Sequence, residues 1–133
     1  MPYTLIDHTA DIGMRVSGAT LEALFRDAAL GLCDILGAGT TRAALSVPVR
    51  SRGIDRDDLL VRWLQDILFL VEVRGFRVTA VEVAGVAETE ADGMLRGEFS
   101  AAPLTAEVKA VTYHGLTIER IDNGFAATII LDT

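Results

Sequence analysis

Two short polar stretches at opposite ends of the chain carry the residue types that hold a cation. Near the N-terminus, Asp7-His8-Thr9-Ala10-Asp11 separates two apolar strand-like runs, Tyr3 to Ile6 and Ile12 to Val16, and at the other end Asp132-Thr133 follows the apolar run Ala126 to Leu131. If these strand ends meet, Asp11, Asp132 and the main-chain or terminal carboxyl oxygens of Thr133 supply three or more oxygen donors, the set a hard divalent cation takes. Two carboxylates brought together without a cation repel one another, which is the physical reason such a cluster recruits one. The same aspartates are also ordinary turn and capping residues, and Asp7 serves equally well as an acceptor for the backbone N–H groups of its own turn.

The histidines raise a rival chemistry. His8 and His114 with an aspartate make a zinc site or an acid–base pair, but the chain has no His-Glu-x-x-His spacing and only one cysteine, Cys33. The alternative reading has His8 locking the turn by hydrogen bonding and His114 lining a pocket without binding metal. No phosphate-binding loop, dinucleotide-binding glycine pattern or nucleophile elbow is present. The residues alone therefore specify no catalytic step.

The balance of charge narrows the partners. A formal charge of −7 over 133 residues opposes a grip on nucleic acid, which rests on clustered Lys and Arg that displace phosphate counterions, so any contact with RNA is expected to be indirect. The lone cysteine excludes an internal disulfide and fits a reducing, cytoplasmic setting. No basic, apolar leader precedes Pro2-Tyr3-Thr4, and no apolar run approaches the roughly 20 residues that cross a bilayer. A soluble protein without membrane contact is the expectation, and self-association is left open.

Tyr3 to Ile6 and the alternation of Ile12, Met14 and Val16 predict two strands joined at residues 7–11. Thr20 caps a helix with Glu22 in its first turn and an apolar stripe from Leu21 to Leu36, ended by Gly37. Leu45 to Arg50 alternates as a strand that Pro48 confines to an edge. Asp57 is expected to cap a second helix with the stripe Leu60, Trp63, Leu64, Ile67, Leu68 and Val71, ending near Gly75. Trp63 and Cys33 read as core residues rather than as a stacking platform and a reactive thiol. Strands follow from Phe76 onward, with a bulge near Ala80-Val81, a hairpin with Asp92-Gly93 at its tip, and further strands at Leu104 to Tyr113, Leu116 to Ile121 and Phe125 to Leu131. The fold class is α+β: one domain over residues 1–133, with both helices covering one face of a largely antiparallel or mixed sheet.

Five motifs in this order carry a resemblance. His8-Thr9-Ala10-Asp11 after a short strand, Thr20-Leu21-Glu22, Leu59-Leu60-Val61-Arg62-Trp63-Leu64, Val108-Lys109-Ala110-Val111-Thr112-Tyr113-His114 and a closing Ile130-Leu131-Asp132 resemble the archease family over nearly the whole chain. The resemblance implies an accessory protein, not itself an enzyme, that promotes guanylylation and repeated turnover of the RtcB-type RNA ligase in tRNA splicing and RNA repair. It also implies a metal site described with calcium, Mg2+ and Mn2+ being the alternatives, on Asp11, Asp132 and Thr133. Relatives often end in a larger apolar residue, but a terminal residue ligates through its carboxyl oxygens, so Thr133 keeps the site. Lys109 and His114 are candidates for the ligase contact. Two other classes stay open: a metal-dependent phosphoester hydrolase and a chaperone-like binding protein.

Overall fold

The computed structural model describes residues 3–7 and 11–133, with side chains from Tyr3 to Leu5 and from Asp11 onward. In chain order the elements are β1 Tyr3–Asp7, β2 Ile12–Gly18, α1 Leu21–Leu36, β3 Leu45–Arg52, α2 Arg56–Glu72, β4 Phe76–Val86, β5 Glu90–Phe99, β6 Ala110–Thr112, β7 Glu119–Ile121 and β8 Gly124–Asp132. None of the helices is long and apolar enough to cross a membrane.

Local chemistry sets the ends of both helices. The Thr20 hydroxyl accepts from the Ala23 N–H at 3.1 Å, satisfying a donor that the first turn leaves without a helical partner. At the other end Gly37 takes φ 69°, a left-handed conformation that costs glycine little. For α2 the cap is Asp55, not Asp57: the Asp55 backbone is extended and its carboxylate accepts from the Asp58 N–H at 2.8 Å. Asp57 lies in the first turn, and its carboxylate accepts from the Ile118 N–H at 2.9 Å. Three acids within four residues make the cap ambiguous in sequence, and the contact with Ile118 is tertiary.

The strands form two antiparallel sheets where the periodicity suggested one. A five-stranded sheet runs β1-β2-β8-β6 with β7 also paired to β8, and a three-stranded sheet runs β3-β5-β4. Helix α1 touches β2 and β8 of the larger sheet and β4 of the smaller, while α2 touches β6 of the larger and β3, β4 and β5 of the smaller. The helices therefore face both sheets instead of covering one face of a single sheet. Their buried positions are correspondingly broad, with Leu59, Leu60 and Val61 consecutive and all fully buried, more than one narrow stripe provides.

Individual strand features divide. Pro48 lies on the edge strand β3 as expected, and register shifts at Val78/Ala80 and Val83/Gly85 bracket the expected bulge. Asp92-Gly93, however, sits inside β5, and the hairpin turns at residues 87–89, closed by the Ala87 N–H on the Glu90 carbonyl at 2.8 Å. Glycine is needed at 93 for close approach: a Cβ there would lie 2.5 Å from the Glu82 carbonyl oxygen and 2.7 Å from the Trp63 ring. Trp63 is fully buried, its indole N–H donating to the Phe25 carbonyl at 3.1 Å. Cys33 is buried too, and burial pushes its thiol up to about 12.

The late strands are shorter than their apolar runs. Of Leu104 to Tyr113 only Ala110–Thr112 pairs in a sheet, and of Leu116 to Ile121 only Glu119–Ile121. Residues 100–109 instead cross the C-terminal ends of both helices. The buried Arg77 guanidinium donates to the Val71 and Ala102 carbonyls, the Thr105 N–H donates to the Leu36 carbonyl at 2.9 Å, and the Val108 N–H reaches the Glu72 carboxylate at 3.4 Å. Helix C-termini leave carbonyls unpaired; Thr105 of this strap supplies a donor at the end of α1, and Arg77 of β4, itself tied to the strap at Ala102, supplies one at the end of α2.

Candidate functional site

The site is built by strand register. In the β2–β8 pair Ile12 stands opposite Leu131, so the next residues outward are Asp11 on one strand and Asp132 on the other. Opposed residues on paired strands have Cα atoms about 5 Å apart, which brings the two acidic positions together at one end of the larger sheet. Asp132 is held from its other side as well: it pairs with Ala110, and its carbonyl accepts from the Lys109 N–H at 2.7 Å. Strand β1 reaches the same end, with Asp7 paired to Ile12.

Alternation along β8 decides which way Asp132 faces. Ala127, Ile129 and Leu131 are fully buried in the core formed with the helices, so Asp132 falls on the opposite face with Thr128 and Ile130. Asp11 is half-buried, and Asp132 and Thr133 are exposed. Water and a partner molecule can both reach this end.

The other sequence candidates are distributed around it. Lys109 is exposed and next to Asp132 through the backbone contact. His114 lies four residues beyond Ala110, in the turn that follows β6. The structure leaves Cys33 in the core. The Asp7 side chain and His8 lie outside the described residues.

Among the described residues no three His, Cys, Asp or Glu side chains group to hold a metal ion. A cation at this end would take its ligands from the two carboxylates together with the main-chain or terminal carboxyl oxygens of Thr133. That donor set is all oxygen, which suits a hard cation and not zinc.

A second cluster fixes the turn that bears His114, and the sequence showed only part of it. The Asp58 carboxylate, nearly buried, accepts from the Ile54 N–H at 2.8 Å and the Arg62 Nε–H at 2.9 Å, and from the Tyr113 hydroxyl. The Ile54 hydrogen bond, followed by those of Tyr113 and Arg62, holds Asp58 below the usual carboxylate range despite the opposing effect of burial. The same carboxylate pushes the Tyr113 hydroxyl up. The i,i+4 spacing of Asp58 and Arg62 is legible in the sequence, whereas Tyr113 arrives through tertiary structure.

The order of these elements is shared with known proteins. The model of the Archease protein family matches residues 3–133. The chain belongs to the archease family. Protein archease of Archaeoglobus fulgidus is 39% identical over 140 residues, covering 99% of both chains, and that of Methanopyrus kandleri is 34% identical with the same coverage. The solution structure of Methanobacterium thermoautotrophicum protein 1598 superposes with a TM-score of 0.71 at 27% identity, covering 99% of each chain. A Thermotoga maritima archease described as a possible chaperone shares the fold, with a TM-score of 0.67 at 22% identity over 96% of this chain and 94% of its own. In this archease-family chain the Val108 to His114 motif is strand β6 with its flanks, linking the acidic end to the Asp58 cluster.

Proposed function

We propose that this archease-family chain is an accessory protein of an RtcB-type RNA ligase, promoting ligase guanylylation and multiple turnover in tRNA splicing and RNA repair in the cytoplasm. The observation that supports this reading is the β2–β8 register, which sets Asp11 beside Asp132 at an accessible sheet end. Asp11, Asp132 and the carboxyl oxygens of Thr133 would hold a divalent cation, calcium first and Mg2+ or Mn2+ as alternatives. Calcium tolerates a loose oxygen shell completed by water, whereas Mg2+ demands near-octahedral ligation. A bound cation would neutralise the paired carboxylates and let the two strand ends approach a charged active site on the ligase.

The chain's own residues do the rest. The Lys109 N–H fixes the Asp132 carbonyl, and the strap from 100 to 109 fixes Lys109. Stimulation of the ligase requires that this surface bind one ligase state more tightly than another, because equal affinity shifts no equilibrium. The acidic charge suits contact with a protein, not a direct grip on RNA.

The deciding experiment measures guanylylation and multiple-turnover ligation with wild type, Asp11→Ala and Asp132→Ala. Each variant should fold, since neither side chain belongs to the buried core, and should lose stimulation. Normal stimulation by both variants would remove the acidic end from the mechanism and favour a chaperone-like protein binding through apolar surface. Hydrolysis of a phosphoester with no ligase present would identify a metal-dependent hydrolase instead.

A further inference from the structure

Helix α2 and its C-cap Val73 present one exposed row at Arg62, Asp66, Phe69 and Val73, spaced four, three and four residues apart. A solvated helix face is ordinarily polar, yet in this row Phe69 is 49% exposed and Val73 66% exposed. Arg74 stands over the Phe69 ring, 5.8 Å from its centroid, without hiding it. Beside them is a groove of about 250 Å³ between α2 and β6, with Leu68, Phe69, Glu72, Val73 and Ala110 among its lining residues. Its floor is already satisfied, because the Gln65 amide donates to the Val111 carbonyl at 3.0 Å.

The groove is continuous with the acidic end. Ala110 pairs with Asp132, and Lys109, which also lines the groove, holds the Asp132 carbonyl. Glu72, exposed and in the lining, sets a carboxylate at the groove beside Lys109. The volume suits one large side chain and not a whole helix.

We propose that the α2–β6 groove anchors the partner protein of the acidic end by accepting one aromatic or long aliphatic side chain flanked by an arginine or lysine. The apolar side chain packs on Phe69, Val73 and Leu68, and the basic group meets Glu72. The inference rests on the reading that a ligase engages the Asp11/Asp132 end, and assigns to the groove affinity as distinct from stimulation. Interfaces concentrate their binding energy in a few such buried apolar anchors, surrounded by polar contacts that exclude water.

The test titrates full-length wild type, Phe69→Ala, Val73→Asp, Ile54→Asp and Asp11→Ala into a ligase guanylylation assay, with circular dichroism to confirm folding. Ile54 is 83% exposed at the opposite end of α2 and controls for nonspecific apolar contact. Phe69→Ala and Val73→Asp should raise the half-maximal concentration about tenfold or more while leaving the maximum intact. Ile54→Asp should behave as wild type, and Asp11→Ala should lower the maximum. Unchanged half-maximal concentrations in both groove variants overturn the anchor while leaving the acidic end in place, as does an equal weakening by Ile54→Asp. A wild type that dimerises in sedimentation, with Val73→Asp monomeric and its ligase response unaltered, makes the occupant a second copy and also overturns it. A wild type that neither binds nor stimulates the ligase defeats the reading on which the anchor rests.

Discussion

A carboxylate 7% exposed as a residue is kept ionised only if its oxygens find donors, and Asp58 finds them in a backbone amide, a guanidinium and a phenol. Its folded pKa is depressed, so its contribution to stability is present above the unfolded value of about 3.9 and is lost as pH falls through the lower folded value. Asp58→Ala should cost about 2 kcal/mol at pH 7, read as a shift in urea midpoint, and should flatten the decline in stability on acidification below about pH 4. An unaltered acid profile would show that the carboxylate is not held as described. Tyr113 works in the other direction: its raised pKa gives stability that is present below about pH 10 and lost as pH rises towards the folded value. Cys33 makes a simpler case. With its thiol pushed up to about 12 inside the core, it should not react with a disulfide reagent at pH 8 in the native state, and should titrate fully in denaturant.

Among the elements, α2 shows how tertiary contacts reassign local chemistry. Asp55 and Asp57 are both plausible caps by type, but only Asp55 accepts from a first-turn amide while Asp57 holds Ile118. Asp55→Ala should therefore cost about 1 kcal/mol as a lost cap, whereas Asp57→Ala should loosen the 113–118 segment. Amide exchange reads the difference: faster exchange at Ile118 in Asp57→Ala and at Asp58 in Asp55→Ala, with the reverse pattern refuting the assignment. In β5, Gly93 lets the sheet approach Trp63, and Gly93→Ala should cost about 1 to 3 kcal/mol by overpacking, seen as a lower Tm. The hairpin reading of Asp92-Gly93 missed this because the pair is equally consistent with a type I′ turn. The glycine is required by a ring that joins it only after folding.

For the molecule as a whole, the acidic end exists because the second and last strands in chain order are brought side by side, β2 against β8, across more than a hundred residues of chain. Cation binding at that end would couple to the stability of the entire domain. Calcium at 100 times its Kd should add about 2.7 kcal/mol, a Tm rise on the order of 10 °C for a chain of this size. Asp132→Ala should abolish that rise without lowering the calcium-free Tm. A rise of equal size in Asp132→Ala would locate the calcium elsewhere.

Helix α1, the existence and core face of α2, the edge position of Pro48, the bulge near Ala80 and the burial of Trp63 and Cys33 were all legible in the sequence, because each follows from local periodicity or from a residue's own backbone limits. So was the pairing of Asp11 with Asp132 as candidates, since carboxylates flank both runs. The partition of strands into two sheets, the Asp55 cap, the strap over the helix ends and the Tyr113 contact with Asp58 were decided only by the tertiary structure. Those features depend on which strand edges and helix ends meet. A chain read a few residues at a time carries no record of that choice, because the free energy that makes it comes from burying surfaces distant in sequence against one another.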